Sequence, residues 1–180
     1  MHWLDQNKIW AEANRILKPG GSIAIWGYAS PHIKESEEAS QVIKYFHNEV
    51  LWKNGYWDND RKLLDEKYVH LQLPFQHSSR FLRFLLHYNF CIIKFLVYFF
   101  SQFIFSERDD TVLMEKEVGI IDVINYMTTF SAYKTLKQRD PQREDPLISI
   151  KEKLLQAFKT GDENFPCTLC WPIFLLFSKK

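Results

Sequence analysis

At 180 residues the chain is long enough to bury a sizeable core in one domain. With 46% hydrophobic and 25% charged residues it belongs to the globular class. A net charge of +1 excludes a broad field that would draw it to nucleic acid or to acidic surfaces.

Residues 1–28, MHWLDQNKIWAEANRILKPGGSIAIWGY, are the most readable stretch. Asp5 is expected to cap a helix, with Leu4 stapled to Ile9. Ile9, Ala13, Ile16 and Leu17 recur at helical spacing, with Trp10 beside them, and predict one buried face. Lys18 suits the negative end of the helix dipole, and Pro19-Gly20-Gly21 ends the helix. Ser22 to Trp26 has no polar alternation, the pattern of a strand covered on both faces, and Gly27 and Tyr28 follow at its carboxyl end.

Further on, Ser36 to Lys53 predicts a helix with Ala39, Val42, Ile43, Phe46 and Val50 on one stripe. Tyr68 to Leu73 alternates and predicts a strand. The stretch from Arg80 to Phe105 holds eight of the fifteen phenylalanines and only three charges, Arg80, Arg83 and Lys94. It reaches the length of a membrane span, about 20 residues. Lys94 near its middle opposes that by roughly 3 kcal/mol, and a buried aromatic helix is the other reading. Asp122 is placed to cap a helix through about Phe130. Asp145-Pro146 predicts the start of a helix that buries Leu147, Ile150, Leu154 and Phe158 and stops before Gly161. Residues 167–177 predict a closing strand, with Pro172 at a bulge or a break.

Three cysteines, Cys91, Cys167 and Cys170, form no disulfide framework and point to a reducing compartment. The first residues lack the charged, apolar and small-residue pattern of a signal peptide, so a cytoplasmic location is expected.

In order, these pieces resemble the middle and C-terminal parts of class I S-adenosylmethionine-dependent methyltransferases. The nearest likeness is to the fungal trans-aconitate methyltransferase-like family. It rests on His2-Trp3, Glu12, Arg15, Leu17 to Gly21 and Trp26-Gly27-Tyr28. Residues 55–75, 124–141 and 171–180 extend it, and only about 77–105 fall outside it. The resemblance implies an α/β fold, an incomplete Rossmann-like methyltransferase lacking the N-terminal cofactor-binding strands. It divides the chain into 1–76, the middle of the domain, an atypical aromatic insertion at 77–105, and 106–180, the C-terminal part. It adds a third reading of the aromatic stretch, a translated intron between LPFQ and SERDD. That reading is preferred, ahead of a membrane anchor through 81–105.

The resemblance implies S-adenosylmethionine as cofactor, held mainly by a glycine-rich loop. The six glycines, at 20, 21, 27, 55, 119 and 161, include no pair separated by one residue, so no G-x-G occurs in the sequence. Met1 is therefore expected to correspond to an internal position of the family's proteins. His2 and Trp3 are implied to lie at a strand's carboxyl end beside the methyl donor; a frayed terminus is the alternative. Trp26 and Tyr28 line the acceptor pocket in this reading, or are core aromatics. Tyr126, Thr129, Ser131 and Tyr133 belong to the segment implied to cover the acceptor, a small carboxylic acid; a helix with a mixed polar face accounts for them equally. Arg139 and Arg143 are carboxylate clamps on charge alone, or solvated surface. No catalytic residue is assigned. Cys167-x-x-Cys170 has no second ligand pair, and on a strand its thiols point to opposite faces, so no metal is expected. No nucleic-acid partner is expected. The competing reading is a non-enzymatic fragment or pseudoenzyme, tethered to a membrane through 81–105.

Overall fold

The computed structural model describes residues 1–71, 73, 75 and 106–180, with 106 and 107 described by backbone alone. The aromatic stretch, and with it the choice between anchor, buried helix and translated intron, lies outside the described residues. Among those residues no helix is long and apolar enough to cross a membrane. The chain divides into two compact units. One comprises Met1–Ala29, the described residues of Leu63–Val112, and Ile173–Lys180; the other comprises Ser30–Lys62 and Leu113–Pro172.

The first unit opens with α1 (Gln6–Ile16), capped by Asp5, whose carboxylate accepts the Asn7 and Lys8 N–H groups at 3.0 and 3.3 Å. Ala13 is the buried residue of this helix, with Trp10 and the capping Leu17 half-buried on the same line. Ile16 lies roughly a quarter-turn off that line and is 61% exposed, not buried as its spacing suggested. Leu4 is also exposed. The carbonyls at the end of α1 are met by Lys180 rather than Lys18: the Lys180 ammonium donates to Leu17 O at 3.0 Å and to Asn14 O. Gly20 takes φ +78° in the turn that follows.

β1 (Ser22–Tyr28) pairs antiparallel with the second half of β4 (Pro166–Lys179), from Ser22↔Lys179 to Tyr28↔Ile173. Its two faces differ, which corrects the expectation of a strand covered on both sides. Ile25 packs with Phe174, Leu176, Leu64 and Tyr68 in a compact core. Trp26 and Tyr28, on the opposite face by alternation, are 63% and 49% exposed. Gly27 lies opposite Phe174 in the ladder, where a Cβ would stand 2.4 Å from the phenylalanine Cζ.

Among the described residues of Tyr68–Leu73 the predicted strand does not form. The short helix α3 (Arg61–Asp65) instead ends in a Schellman turn: Tyr68 N–H bonds Leu63 O at 2.9 Å and Lys67 N–H bonds Leu64 O at 2.8 Å. Lys67 and Tyr68 both take left-handed backbone, φ +53° and +56°. Such non-glycine conformations cost about 1–3 kcal/mol each and persist where their surroundings enforce them. Here the enforcement is visible: Arg108, on β3 (Ser106–Gly119), donates to Lys67 O at 2.7 Å, and Leu71 N–H returns to Tyr68 O at 3.0 Å. A left-handed Tyr68 cannot begin an extended strand.

In the second unit β2 (His32–Ile33) pairs with Cys170 and Leu169 of β4. β3 also pairs with β4. Pro172 therefore falls between the β4 residues that pair with β2 and those that pair with β1, and the strand runs through it without a break. α2 (Glu37–Tyr45) starts at Ser36, whose hydroxyl accepts the Ala39 N–H at 3.0 Å. It passes into a π-helical turn, Phe46–Trp52, closed by Lys53 N–H to Asn48 O at 3.0 Å. The expected stripe is buried at Ala39, Ile43, Phe46 and Val50. α4 (Ile120–Thr128) starts at Gly119; Asp122 sits one turn inside and accepts the Gly119 N–H at 3.0 Å, so it is not itself the first cap. α5 (Ser131–Arg139) follows. α6 (Pro146–Ala157) starts at Asp145 and stops before Gly161, as expected, with a left-handed Lys159 after its end. Phe46, Leu51, Ile120, Met127, Leu136, Ile150 and Leu154 form the heart of this unit's core.

Candidate functional site

The most specific geometry at any residue singled out from sequence surrounds His2. Its Nδ1 lies 2.8 Å from the Tyr68 hydroxyl, and its backbone N–H donates to the same oxygen at 3.4 Å. Tyr68 is 2% exposed and meets Phe174 edge-on at 5.1 Å. Trp3 tilts against the His2 ring at 4.8 Å and is itself 62% exposed. A buried phenol thus holds an imidazole, which carries an open indole. Chemically the pair offers an aromatic wall. Met1 and Trp10 pack on the same core as Tyr68, so His2 belongs to the fold rather than to a frayed end.

Trp26 and Tyr28 lie in the same unit on the exposed face of β1. Opposite them in the ladder are Leu175 and Ile173. They are surface aromatics on a sheet face, not core residues.

Three of the four hydroxyl candidates of the second unit, Tyr126, Thr129 and Tyr133, are engaged locally. Thr129 donates to Tyr126 O at 2.6 Å, closing the end of α4. Tyr126 accepts the Trp171 indole N–H at 3.0 Å, and the two rings meet edge-on. Tyr133 donates to the Asp145 carboxylate at 2.6 Å. Ser131 is the exposed first residue of α5, and its carbonyl accepts the Thr135 hydroxyl. Tyr126, Phe130, Tyr133 and Phe46 form one aromatic cluster, with Phe130 5.2 Å from Tyr126 and Phe46 6.5 Å from Tyr133. Arg139 and Arg143 hold the chain rather than standing in solvent alone: Arg139 donates to Gly55 O at 3.0 Å and Arg143 to the Tyr56 hydroxyl at 3.1 Å, while Tyr56 donates to Asp140.

Cys167 and Cys170 are buried, three residues apart on β4. Burial, then the charges of Glu35 and Asp122, push the Cys167 thiol up to about 11. Burial, then Glu115, pushes Cys170 up as well. Both stay protonated near neutrality and are poor nucleophiles and ligands. Among the described residues no group of three or more His, Cys, Asp or Glu side chains is placed to hold a metal ion.

Sequence reasoning missed Tyr68. Its neighbours alternate like a strand, and nothing local announces that residue 68 turns left-handed to meet residue 2. Lys180 as the C-terminal partner of α1 was equally invisible, since the contact spans nearly the whole chain.

No family model matches the sequence. The chain is 26% identical over 180 residues to a Dictyostelium discoideum protein named "Putative methyltransferase", covering 99% of this chain and 56% of that protein. It is 21% identical over 184 residues to the Saccharomyces cerevisiae "Probable S-adenosylmethionine-dependent methyltransferase CRG1", covering 100% of this chain and 60% of that one. A solved structure from Anaeromyxobacter dehalogenans, described as a "putative type II methyltransferase", superposes with a TM-score of 0.68 at 21% identity, over 99% of this chain and 60% of the other. The described residues thus form a mixed α/β fold like that of the solved methyltransferase, and the chain spans little more than half of the curated relatives it matches.

Proposed function

We propose that the chain is the acceptor-side part of a class I S-adenosylmethionine-dependent methyltransferase of the trans-aconitate methyltransferase-like kind, acting on a small carboxylic acid. The observation that carries this reading is the end-to-end likeness: 99% to 100% of the chain aligns with two proteins named as methyltransferases. The superposition at a TM-score of 0.68 supports the fold independently.

S-adenosylmethionine, when bound, supplies a methyl group on a positively charged sulfur. The fit of the chain's residues to that molecule is partial. Trp3, 62% exposed and backed by His2, suits one wall of a pocket for a flat base or a cationic sulfur. A glycine-lined backbone cradle is not among this chain's residues: Gly20 and Gly21 form the tight turn before β1, and no G-x-G exists. In the proposed reading that cradle belongs to sequence outside the 180 residues. This chain's share of the work is positioning and exclusion of water. His2 and Trp3 wall the donor, and Trp26 and Tyr28 face the acceptor. A cytoplasmic location suits this reading.

The test is a chimera that joins the unmatched part of the Dictyostelium relative to this chain, offered S-adenosylmethionine with a labelled methyl group and a panel of di- and tricarboxylic acids. The expected product is a labelled methyl ester. A folded chimera that binds S-adenosylmethionine but labels no acid overturns the substrate class. One that folds and binds no S-adenosylmethionine overturns the methyltransferase reading.

A further inference from the structure

We propose that Tyr68 is the positioning residue for His2, one phenolic oxygen fixing both the backbone and the imidazole of the residue that carries Trp3. The two contacts made by that oxygen, 3.4 Å to the His2 backbone N and 2.8 Å to Nδ1, restrain the chain and the ring together. Because Nδ1 meets the hydroxyl, Nε2 is directed to the opposite side of the ring.

Three further observations show that Tyr68 is itself held for this task. Its ring is buried and locked edge-on against Phe174. Its backbone is left-handed, as is that of Lys67 before it, a conformation that tyrosine and lysine rarely adopt. Strain of this kind collects at functional positions. Arg108 secures the strained pair by bonding Lys67 O at 2.7 Å while its guanidinium lies 5.7 Å from the centre of the Phe174 ring.

The proposal rests on the reading of His2 and Trp3 as part of the donor's wall, but its test needs no donor, so the two can fail separately. The full chain is labelled with 15N-histidine, and the His2 ring signals are identified by their loss in His2→Asn. In the wild type the two ring nitrogens of His2 are expected to differ in shift and tautomer balance from those of a free peptide of residues 1–8. In Tyr68→Phe, which keeps the buried ring, they are expected to shift toward the peptide values while the circular dichroism spectrum is unchanged. A packing role alone would leave the His2 signals where they were. Unchanged His2 shifts in a folded Tyr68→Phe chain overturn the proposal. Should that variant not fold, the wild-type spectrum decides, and His2 shifts equal to those of the peptide overturn it.

Discussion

Tyr133 donates its phenolic proton to the Asp145 carboxylate across 2.6 Å, tying α5 to the cap of α6. The same carboxylate accepts the Leu147 N–H at 3.0 Å and faces Lys137 at 3.4 Å. One side chain therefore caps a helix and anchors its neighbour. A hydrogen bond to a charged, half-buried acceptor is worth about 1–2 kcal/mol. Tyr133→Phe is expected to lower stability by that amount in urea unfolding. In a double-mutant cycle with Asp145→Asn the two losses should fall short of additive, because either substitution removes the same charged bond. Fully additive losses would show that the contact contributes nothing.

The pair also sets a pH dependence. Burial raises the Asp145 carboxyl, but the bonds from Tyr133 and Leu147 and the charge of Lys137 outweigh it, and the net shift is downward. A carboxyl with a lowered folded pKa contributes stability above its unfolded value and loses it as pH falls through the folded one. Burial, and then the Asp145 bond, push Tyr133 up to about 12 from 10.0. A raised phenol contributes stability below 10.0 and loses it as pH climbs toward about 12. Melting temperatures of wild type and Asp145→Asn should differ at neutrality and converge once the pH has fallen through the lowered folded pKa of Asp145. A difference that stays constant down to acid unfolding would refute this assignment.

What the sequence displays is what neighbours in sequence decide. Asp5 and Asp145 are helix caps because a carboxylate two or three residues from free N–H groups reaches them wherever the rest of the chain goes. The Ala39, Ile43, Phe46 and Val50 stripe is legible for the same reason, since helical period alone sets it. The failures involve distant partners. Ser22 to Trp26 looks covered on both faces, yet coverage depends on what packs there, and Trp26 is 63% exposed. Tyr68 to Leu73 has the alternation of a strand, but the bond to His2, 66 residues away, accompanies a left-handed turn that no local pattern encodes. Of the site residues, His2 and Trp3 stand out in sequence while the tyrosine that holds them does not.

Gly27 offers a packing test. The Phe174 ring lies across it, and a methyl group there would sit 2.4 Å from Cζ and 3.1 Å from a Leu64 methyl. Overpacking of a formed core costs about 1–3 kcal/mol. Gly27→Ala should lose stability in that range, and the same substitution should cost less in a Phe174→Leu background, where the overlap is vacated. An equal or greater cost of Gly27→Ala in that background would mean that Gly27 is needed for some other reason than room for the ring.

Lys159 supplies the opposite sign. It holds the left-handed position that ends α6, with φ +52° and Thr160 N–H returning to Leu155 O at 3.1 Å. Glycine takes this conformation without the clash between Cβ and backbone, and it is the residue helices most often use there. The lysine side chain is exposed, and α6 buries its apolar face through Leu147, Ile150 and Leu154. Lys159→Gly should therefore stabilise the protein by about 1 kcal/mol, the left-handed penalty less the extra freedom that glycine gives the unfolded chain. Lys159→Ala, which keeps the Cβ and removes the charge, should leave stability nearly unchanged. Chemical unfolding of the two variants separates backbone strain from side-chain effects: a gain in both would assign the effect to the lysine charge, and a loss in Lys159→Gly would show that the turn is not strained.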